Sequence, residues 1–383
     1  MRAQELTICA VAFGVVLMAA TAGAQAPQPS ARAGGLLHVS LVLSRPPSTA
    51  FALSLEPQEI DFAYAADLSA DAPQHRELLA ATVGSRVRIG ILECPRTLRL
   101  GAIAPEAGAS RRSFELWLAR DAHGWALEAH AGDGGSVHLV PLGHRAVDAA
   151  RPALTASMTA VSDLGGLLRL RWGRHAWSAD FRFETPPRPA EELASLAHTS
   201  DVVQSDIAFD NASSPPEVAR SNTLAERNES AVVLADGSRI GVMFYKGLAV
   251  EDEDYRRLSG TAEGDVVQWV RAAPPRLTSD VTLRFGRTAL PTGNLAAGFA
   301  GMYAVWLRKV DGGWRLVFND EADSWGTQHD AAFDAAEVPA EYSRSAGAFR
   351  PLGVTLVPTG NSRGRLVLHW GPHEWAADFA VTN

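Results

Sequence analysis

The sequence predicts an all-β protein with two tandem antiparallel β-sandwich, jelly-roll-like domains, and two observations support this prediction. A ten-residue stretch occurs twice, as WGRHAWSADF at residues 172–181 and as WGPHEWAADF at residues 370–379. Most of the chain consists of short apolar runs that Gly and Pro interrupt, and no long stretch has the period of a helix. A repeated unit of short strands indicates a duplicated all-β domain.

The repeat divides the 383-residue chain into two units. Residues 1–24 have the features of a signal peptide, namely an early Arg, an apolar run and small residues before the expected cleavage point. We predict a first, degenerate β-sandwich at residues 36–185, a linker at 186–230 and a second β-sandwich at 231–383. The expected location is the periplasm or the outside of the cell, with no stable membrane span after cleavage.

The charge of the chain argues against one class of partner. Its formal net charge is -8, and Arg supplies nearly all of the positive charge. Nucleic-acid-binding surfaces require clustered Lys and Arg, so we expect no nucleic-acid partner. The sequence contains no recognisable metal, phosphate-binding or catalytic motif, and we therefore predict no cofactor and no metal.

A first hairpin is predicted at residues 114–129, where apolar side chains alternate on both sides of a DAHG turn. Residues 302–319 repeat this pattern. Trp117 and Trp306 occupy equivalent positions on the strand face opposite to the apolar one. Either that face is open and each Trp can stack on a ligand, or it is covered and each Trp is buried in an interface.

Each copy of the repeated stretch predicts a second hairpin with one buried face. In the first copy, the side chains predicted to be buried are Leu168, Leu170, Trp172, Trp177, Ala179 and Phe181. A four-residue turn would place Trp172 opposite Trp177. The alternation places Asp180 beside Arg169 and Arg171 on the outward face, which predicts an ion pair there.

A His and an Asp recur in both copies of this stretch, as His175 with Asp180 and as His373 with Asp378. A His near an Asp suggests acid–base chemistry. Because both copies have kept these residues, and one chain rarely needs two active sites, we favour a structural role.

Two other segments of the second unit lead to predictions of local structure. The charged run EDEDYRR at residues 251–257 predicts a solvated loop. The sequence DVVQWVR at residues 265–271 predicts a strand that ends before Pro274.

Residues 319–334 have no counterpart in the first unit and contain the candidate ligand site. The candidate residues are Trp325, Gln328, His329 and Asp330. They combine an aromatic ring, an amide, an imidazole and a carboxylate, which together can form a pocket for a polar ligand or a sugar. The alternative is that Trp325 fills the end of the sandwich and the polar groups satisfy the loop backbone.

The second unit contains a strand at residues 302–307, a DGG turn at 311–313 and the run WRLVFNDEADSWGTQHD at 314–330. With these motifs, residues 238–381 resemble a bacterial family of exported proteins known as the domain of unknown function numbered 2911. The resemblance implies an exported β protein and names no reaction. At residues 269–274 the chain reads WVRAAP, where the family shows Arg-Thr-Gly-Ala-Asn after a Trp, so a role for that loop does not transfer.

The expected function is that of a non-catalytic ligand-binding or structural module of the cell envelope, whose partner is a small molecule or an envelope component. The alternative is a cell-envelope or saccharide hydrolase that uses His329 or Asp330. The two differ in what they need, because an enzyme requires a cleft with a partly buried titratable group of shifted pKa. A binding module requires only an apolar or aromatic surface.

Overall fold

The computed structural model describes residues 36–43, 58–66, 68–80, 83–106, 111–132, 135–162, 164–184, 227–270, 272–292, 302–322, 324, 326–345 and 350–382. The first repeat comprises β1 (Leu36–Leu43), β2 (Gln58–Ala65), α1 (Pro73–Ala80), β3 (Arg86–Pro95), β4 (Leu98–Leu100), β5 (Arg111–Asp121), β6 (Gly124–Ala131), β7 (Val137–Ser162) and β8 (Gly165–Phe183).

The second repeat comprises β9 (Arg227–Val233), β10 (Arg239–Tyr245), α2 (Glu253–Gly260), β11 (Arg276–Ser279), β12 (Thr282–Phe285), β13 (Thr288–Leu290), β14 (Met302–Val310), β15 (Gly313–Asn319), a 3-10 helix (Ala331–Phe333), β16 (Asp334–Arg344), β17 (Arg350–Gly360), β18 (Arg363–Gly371) and β19 (His373–Thr382). The predicted all-β class is confirmed. The predicted signal peptide lies outside the described residues, as does almost all of the predicted linker. Neither α1 nor α2, the α-helices in the described ranges, has the length and apolar character of a membrane span.

One antiparallel sheet runs through both repeats. Its strand order is β7–β6–β5–β3–β2–β1 in the first repeat, and it continues through β9–β10–β11–β14–β15–β16 in the second. At the junction, Ser40 lies opposite Ala231 and Val39 lies opposite Val232. The first strand of each repeat therefore pairs with the first strand of the other, as a local twofold axis requires.

The last strands of each repeat turn away from this sheet and form a smaller one. β7 pairs first with β6 and then with β8, and β16 leaves β15 in the same way to pair with β19. Where the repeats meet, β7 and β17 lie side by side, and Thr355 Oγ1 donates a hydrogen bond of 3.1 Å to Thr159 Oγ1. The buried apolar side chains of both repeats form one contiguous cluster. The domain boundaries stay a prediction, since the linker lies outside the described residues.

The repeated stretch forms a hairpin in both repeats, and its apolar face is buried as predicted. Trp172, Trp177, Trp370 and Trp375 are each at most 1% exposed. Each indole removes about 200 Å² from water, which contributes up to about 5 kcal/mol before the loss of conformational entropy is counted. These hairpins therefore carry a large share of the stabilisation of each core.

The hairpin turn is shorter than predicted. In the second repeat, Trp370 pairs with His373 and Leu368 pairs with Trp375, so the turn contains two residues. Gly371 occupies the first of them with a φ of 55°. This left-handed conformation, which glycine adopts without steric cost, is typical of two-residue hairpin turns.

The first repeat has the same register. Phe183 N donates to the Leu164 carbonyl at 2.7 Å, so the two ends of β8 meet and the segment folds back at Gly173, whose φ is 57°. The predicted four-residue turn, with Trp172 opposite Trp177, is therefore wrong. A shift of two residues keeps every side chain on its original face, which is why the predicted buried set is correct although the pairing is not.

Two other predictions for the second repeat are wrong. The charged run at residues 251–257 enters helix α2 instead of forming a loop, and Asp254 is buried and accepts a hydrogen bond of 2.5 Å from Val270 N. Acidic residues in the first turn favour this helix because they face the positive end of its dipole. Residues 265–270 contribute only an isolated bridge to β14 instead of the predicted strand.

The outer face of the large sheet differs between the repeats. In the second repeat, Trp306 is fully buried, and the ring of His329 meets it edge-on with centroids 5.0 Å apart. In the first repeat, Trp117 is only partly buried and the guanidinium of Arg86 lies 5.2 Å from its ring centroid. Trp306 is therefore covered, by a loop of its own repeat and not by the other repeat as the covered alternative supposed, whereas Trp117 is more open.

A glycine lies against an aromatic ring in the hairpin of each repeat. In the second repeat, Gly364 pairs with Phe379, and a Cβ at Gly364 would overlap the phenyl ring. We expect Gly364→Ala to lower the free energy of unfolding by about 1–3 kcal/mol, because the ring or the strand must move. Gly360→Ala is the matched control, since no atom lies within 4 Å of its Cβ position. Urea denaturation measures both variants, and equal stability would contradict this close packing.

Candidate functional site

The predicted ligand residues lie in the loop between β15 and β16, and Trp325 falls outside the described residues. Gln328 is exposed and His329 is mostly buried. Asp330 is exposed, and its carboxylate accepts a hydrogen bond of 2.9 Å from Ala332 N at the start of the 3-10 helix. A ligand site formed by these four residues stays a prediction.

The imidazole of His329 belongs to a polar network that holds this loop against the sheet. Its Nε2 lies 2.9 Å from Asp334 Oδ1. Asp334 also accepts hydrogen bonds from Arg308 Nη2 at 2.8 Å and from Asn319 Nδ2 at 2.9 Å. The other contact of the ring is the indole of Trp306. The network therefore orders the loop and seals the outer face of the second repeat.

The repeated hairpin turn is surrounded by aromatic rings in both repeats. In the second repeat, Tyr342 Oη lies 2.8 Å from His373 Nδ1. In the first repeat, His144 takes the place of the tyrosine, and its Nε2 lies 3.0 Å from His175 Nδ1. Both of these imidazoles lie against Trp177, with centroid distances of 5.5 and 5.7 Å. Within the described part of the chain, the recurring Asp is not a hydrogen-bond partner of either recurring His.

The imidazoles beside the first turn are harder to protonate than an ordinary histidine. Burial lowers the pKa of His144 below its usual value of 6.5, and the charge of Arg120 lowers it further. Burial also lowers the pKa of His175, with additional effects from His144 and His75. Protonation of this pair therefore requires a more acidic solution than an ordinary His does.

A groove of about 380 Å³ lies next to this pair and crosses β7 and β8. Its volume is within the range of small-molecule sites. The lining residues are Gly143, His144, Arg145, Leu167, Arg169, Arg171, Ala176, Trp177 and Ser178.

The strand register places small side chains between the guanidinium groups of the groove. Arg145 pairs with Ala176 across β7 and β8. The two-residue turn places Arg171 on the other side of Ala176, and it places Arg169 beside Ser178. Directly paired side chains point to the same face of a sheet. Ala176 and Ser178 therefore form a low floor, and the three Arg side chains rise around it.

None of the residues that line the groove is a carboxylate. Within the part of the chain that the structure describes, neither Arg145 nor Arg169 forms an ion pair, and Arg171 Nη2 donates to the Ala149 carbonyl at 2.9 Å. Burial lowers the pKa of Arg169 and Arg171, and neighbouring guanidinium groups, including that of Arg145, lower both further, while the carboxylate of Glu374 partly offsets this effect at Arg169. Cations that are desolvated and close together attract an anion.

The predicted ion pair of Asp180 with Arg169 or Arg171 is not formed, and the turn length explains why. In the second repeat, Asp378 lies opposite Arg365, and the two side chains are 3.0 Å apart. The same register in the first repeat places Asp180 opposite an apolar residue, Leu167. The two-residue turn therefore moves the carboxylate of Asp180 away from the guanidinium groups of Arg169 and Arg171.

This basic groove is a property of the first repeat alone. When Trp172 is matched with Trp370, the positions of Arg145, Arg169 and Arg171 correspond to Ser343, Val367 and His369. The shared fold therefore does not require these cations. Sequence reasoning missed the site because each Arg, taken by itself, has the pattern of a solvated strand face.

Comparison with protein-family models, with curated proteins and with solved structures finds no match for this chain. Among the described residues, no group of three or more His, Cys, Asp or Glu side chains is arranged to hold a metal ion.

Asp334 is the central acceptor of the polar network around His329, so substitution of Asp334 tests this network directly. We expect Asp334→Ala to lower the free energy of unfolding by about 2–3 kcal/mol, because Arg308 loses a charge-assisted partner in a mostly buried position. Asp378→Ala is the matched control, since that carboxylate is 71% exposed and such ion pairs contribute little. Thermal or urea denaturation compares the two, and a smaller effect at Asp334 than at Asp378 would contradict the network.

Proposed function

We propose that this protein is a non-catalytic binding module and that the groove of its first repeat binds a small anion. The observation that carries the proposal is the convergence of Arg145, Arg169 and Arg171 on a groove whose lining contains no carboxylate. A guanidinium donates parallel hydrogen bonds to the oxygens of carboxylates and phosphates, and it keeps its charge when partly buried. The ligand class is therefore an oxyanion.

The rest of the lining indicates that the ligand also has an uncharged part. Leu167 presents apolar surface beside the cations and Ser178 presents a hydroxyl, whereas the indole of Trp177, which closes the groove from below, is only 1% exposed. Ligand sites typically combine such apolar walls with a few polar groups that fix orientation. A compound with one or more anionic groups and a compact uncharged body fits this lining.

The proposal keeps the setting expected from the sequence. It describes an exported bacterial protein of the periplasm or the cell exterior, similar in its second unit to the family numbered 2911, that binds a small molecule or an envelope component. The alternative, a hydrolase that uses His329 or Asp330, has less support. Both side chains have partners inside their own loop, Asp334 for His329 and the Ala332 amide for Asp330.

Removal of one groove cation should weaken anion binding. We expect Arg169→Gln and Arg145→Gln each to reduce the affinity for citrate or phosphate at least about tenfold, because each loses a charge-assisted hydrogen bond. Arg363→Gln is the matched control, since Arg363 is an exposed strand residue of the second repeat. Isothermal titration calorimetry at low salt gives the affinities. Failure of the wild-type protein to bind either anion, or unchanged binding by Arg169→Gln, would overturn the proposed function.

The affinity of the groove should also rise as the pH falls from 7 to 5. The pKa values of His144 and His175 are lowered, chiefly by burial, so the pair gains positive charge on acidification. Apart from burial, Arg120 on β5 lowers the pKa of His144, and His144 together with His75 on α1 lowers that of His175. A bound anion favours protonation of the pair and therefore binds more tightly at low pH.

Sulfate is the appropriate probe for this test, because its charge is constant over that pH range. His144→Gln removes the groove-lining imidazole and should abolish most of the increase. An affinity of the wild-type protein that stays constant or falls on acidification would contradict the assigned role of this histidine pair.

A further inference from the structure

The three groove cations belong to a longer series of guanidinium groups that extends into the second repeat. Arg151 is close enough to lower the pKa of Arg171, and Arg350 is close enough to lower that of Arg169. The strand arrangement agrees with this proximity. Arg151 lies on β7 opposite Gly173, Arg350 begins β17, and β7 and β17 run side by side where the repeats meet. Arg151 is thus the neighbour of Arg171, Arg350 is the neighbour of Arg169, and Arg145 is near both Arg169 and Arg171.

Several members of this series have donors without an acceptor. The Nε atoms of Arg151, Arg171 and Arg350 are buried and have no hydrogen-bond partner among the described residues. Buried polar atoms are nearly always hydrogen-bonded in native proteins, and a cation bears the largest cost when it is not. These Nε atoms are out of reach of a ligand, but the three side chains as wholes are only partly buried, so an acceptor that follows the series can bond their accessible terminal nitrogens.

We propose that the ligand of the groove is an acidic oligosaccharide, which lies along this series and spans both repeats. This inference rests on the proposed anion-binding function of the groove. A chain of sugar rings that carries carboxylates at intervals offers oxyanions to successive guanidinium groups, and its hydroxyls suit Ser178 and the floor between them. The series is too long for a single small anion, because neighbouring strand positions are about 5–7 Å apart.

One carboxylate on the second repeat opposes this ligand and provides a test with the opposite sign. Glu374 Oε2 lies 3.6 Å from Arg350 Nη2, a long ion pair in which the carboxylate is one-third exposed. A polyanion must compete with Glu374 for Arg350. Substitution of Glu374 therefore removes both a repulsion and a competitor, while substitution of Arg350 removes an attraction.

The experiment compares galacturonate with its linear trimer and hexamer by isothermal titration calorimetry. We expect the hexamer to bind the wild-type protein at least tenfold more tightly than the monomer. Arg350→Gln should reduce hexamer affinity about tenfold and leave monomer affinity unchanged, and Glu374→Gln should increase hexamer affinity about threefold. Arg363→Gln is the control for a general change of charge.

The outcomes separate this inference from the function on which it rests. If citrate and phosphate bind but the hexamer binds no more tightly than the monomer, or if Arg350→Gln and Glu374→Gln behave like the control, the groove holds a small anion and the oligosaccharide inference is overturned. Tighter binding of a linear polyphosphate of equal charge would overturn the saccharide assignment. If no anion binds the wild-type protein, the proposed function itself fails.

Discussion

Burial of two indole rings holds each copy of the repeated hairpin in place, and the outer surface follows from that burial. Trp172 and Trp177 point into the core of the first repeat, and strand alternation then sends Arg169 and Arg171 to the opposite face. The cations cannot turn inward without exposing the tryptophans. The free energy gained by burying the two indoles therefore keeps the guanidinium groups close together. Their mutual repulsion would otherwise move them apart.

The hairpin of the second repeat can be compared directly with that of the first. On the outer face of the second hairpin, Arg365 is bonded to Asp378 and also to Glu341, so that its charge is balanced. On the outer face of the first hairpin, the corresponding position is Leu167, and the cations two and four residues further along form no ion pair with a described residue. One backbone therefore supports two surfaces of different chemistry, in agreement with the rule that function belongs to sites and not to folds.

The sequence was sufficient for the faces of the strands and insufficient for their pairing. Alternation identified the buried side of the hairpin, from Leu168 to Phe181, because a period of two depends only on local geometry. It could not distinguish a two-residue turn from a four-residue turn, since both keep the same side chains inside. The length of this turn determines whether the cations of the candidate site are neutralised. A longer turn places Asp180 next to Arg169 and neutralises it, whereas the observed turn leaves the groove positive.

Long-range contacts account for the other differences. The charged run that forms α2 has the composition of a solvated loop, and its buried Asp254 finds its partner in the amide of Val270, which local patterns do not reveal. The groove itself needs β7 next to β8, and its extension needs β17 next to β7. Each of these neighbours is fixed by the packing of the whole molecule.

The junction between the repeats has a consequence for biosynthesis. β1 ends at Leu43 and its partner β9 begins at Arg227, so one edge of β1 has no partner until 227 - 43 = 184 more residues have been made. At typical elongation rates this interval is about 10–40 s. A nascent chain thus carries an open strand edge, which can capture an extended segment of a neighbouring polypeptide on the same polysome. Because β9 is on the same chain as β1, its effective concentration is high, and it competes well with segments of other polypeptides.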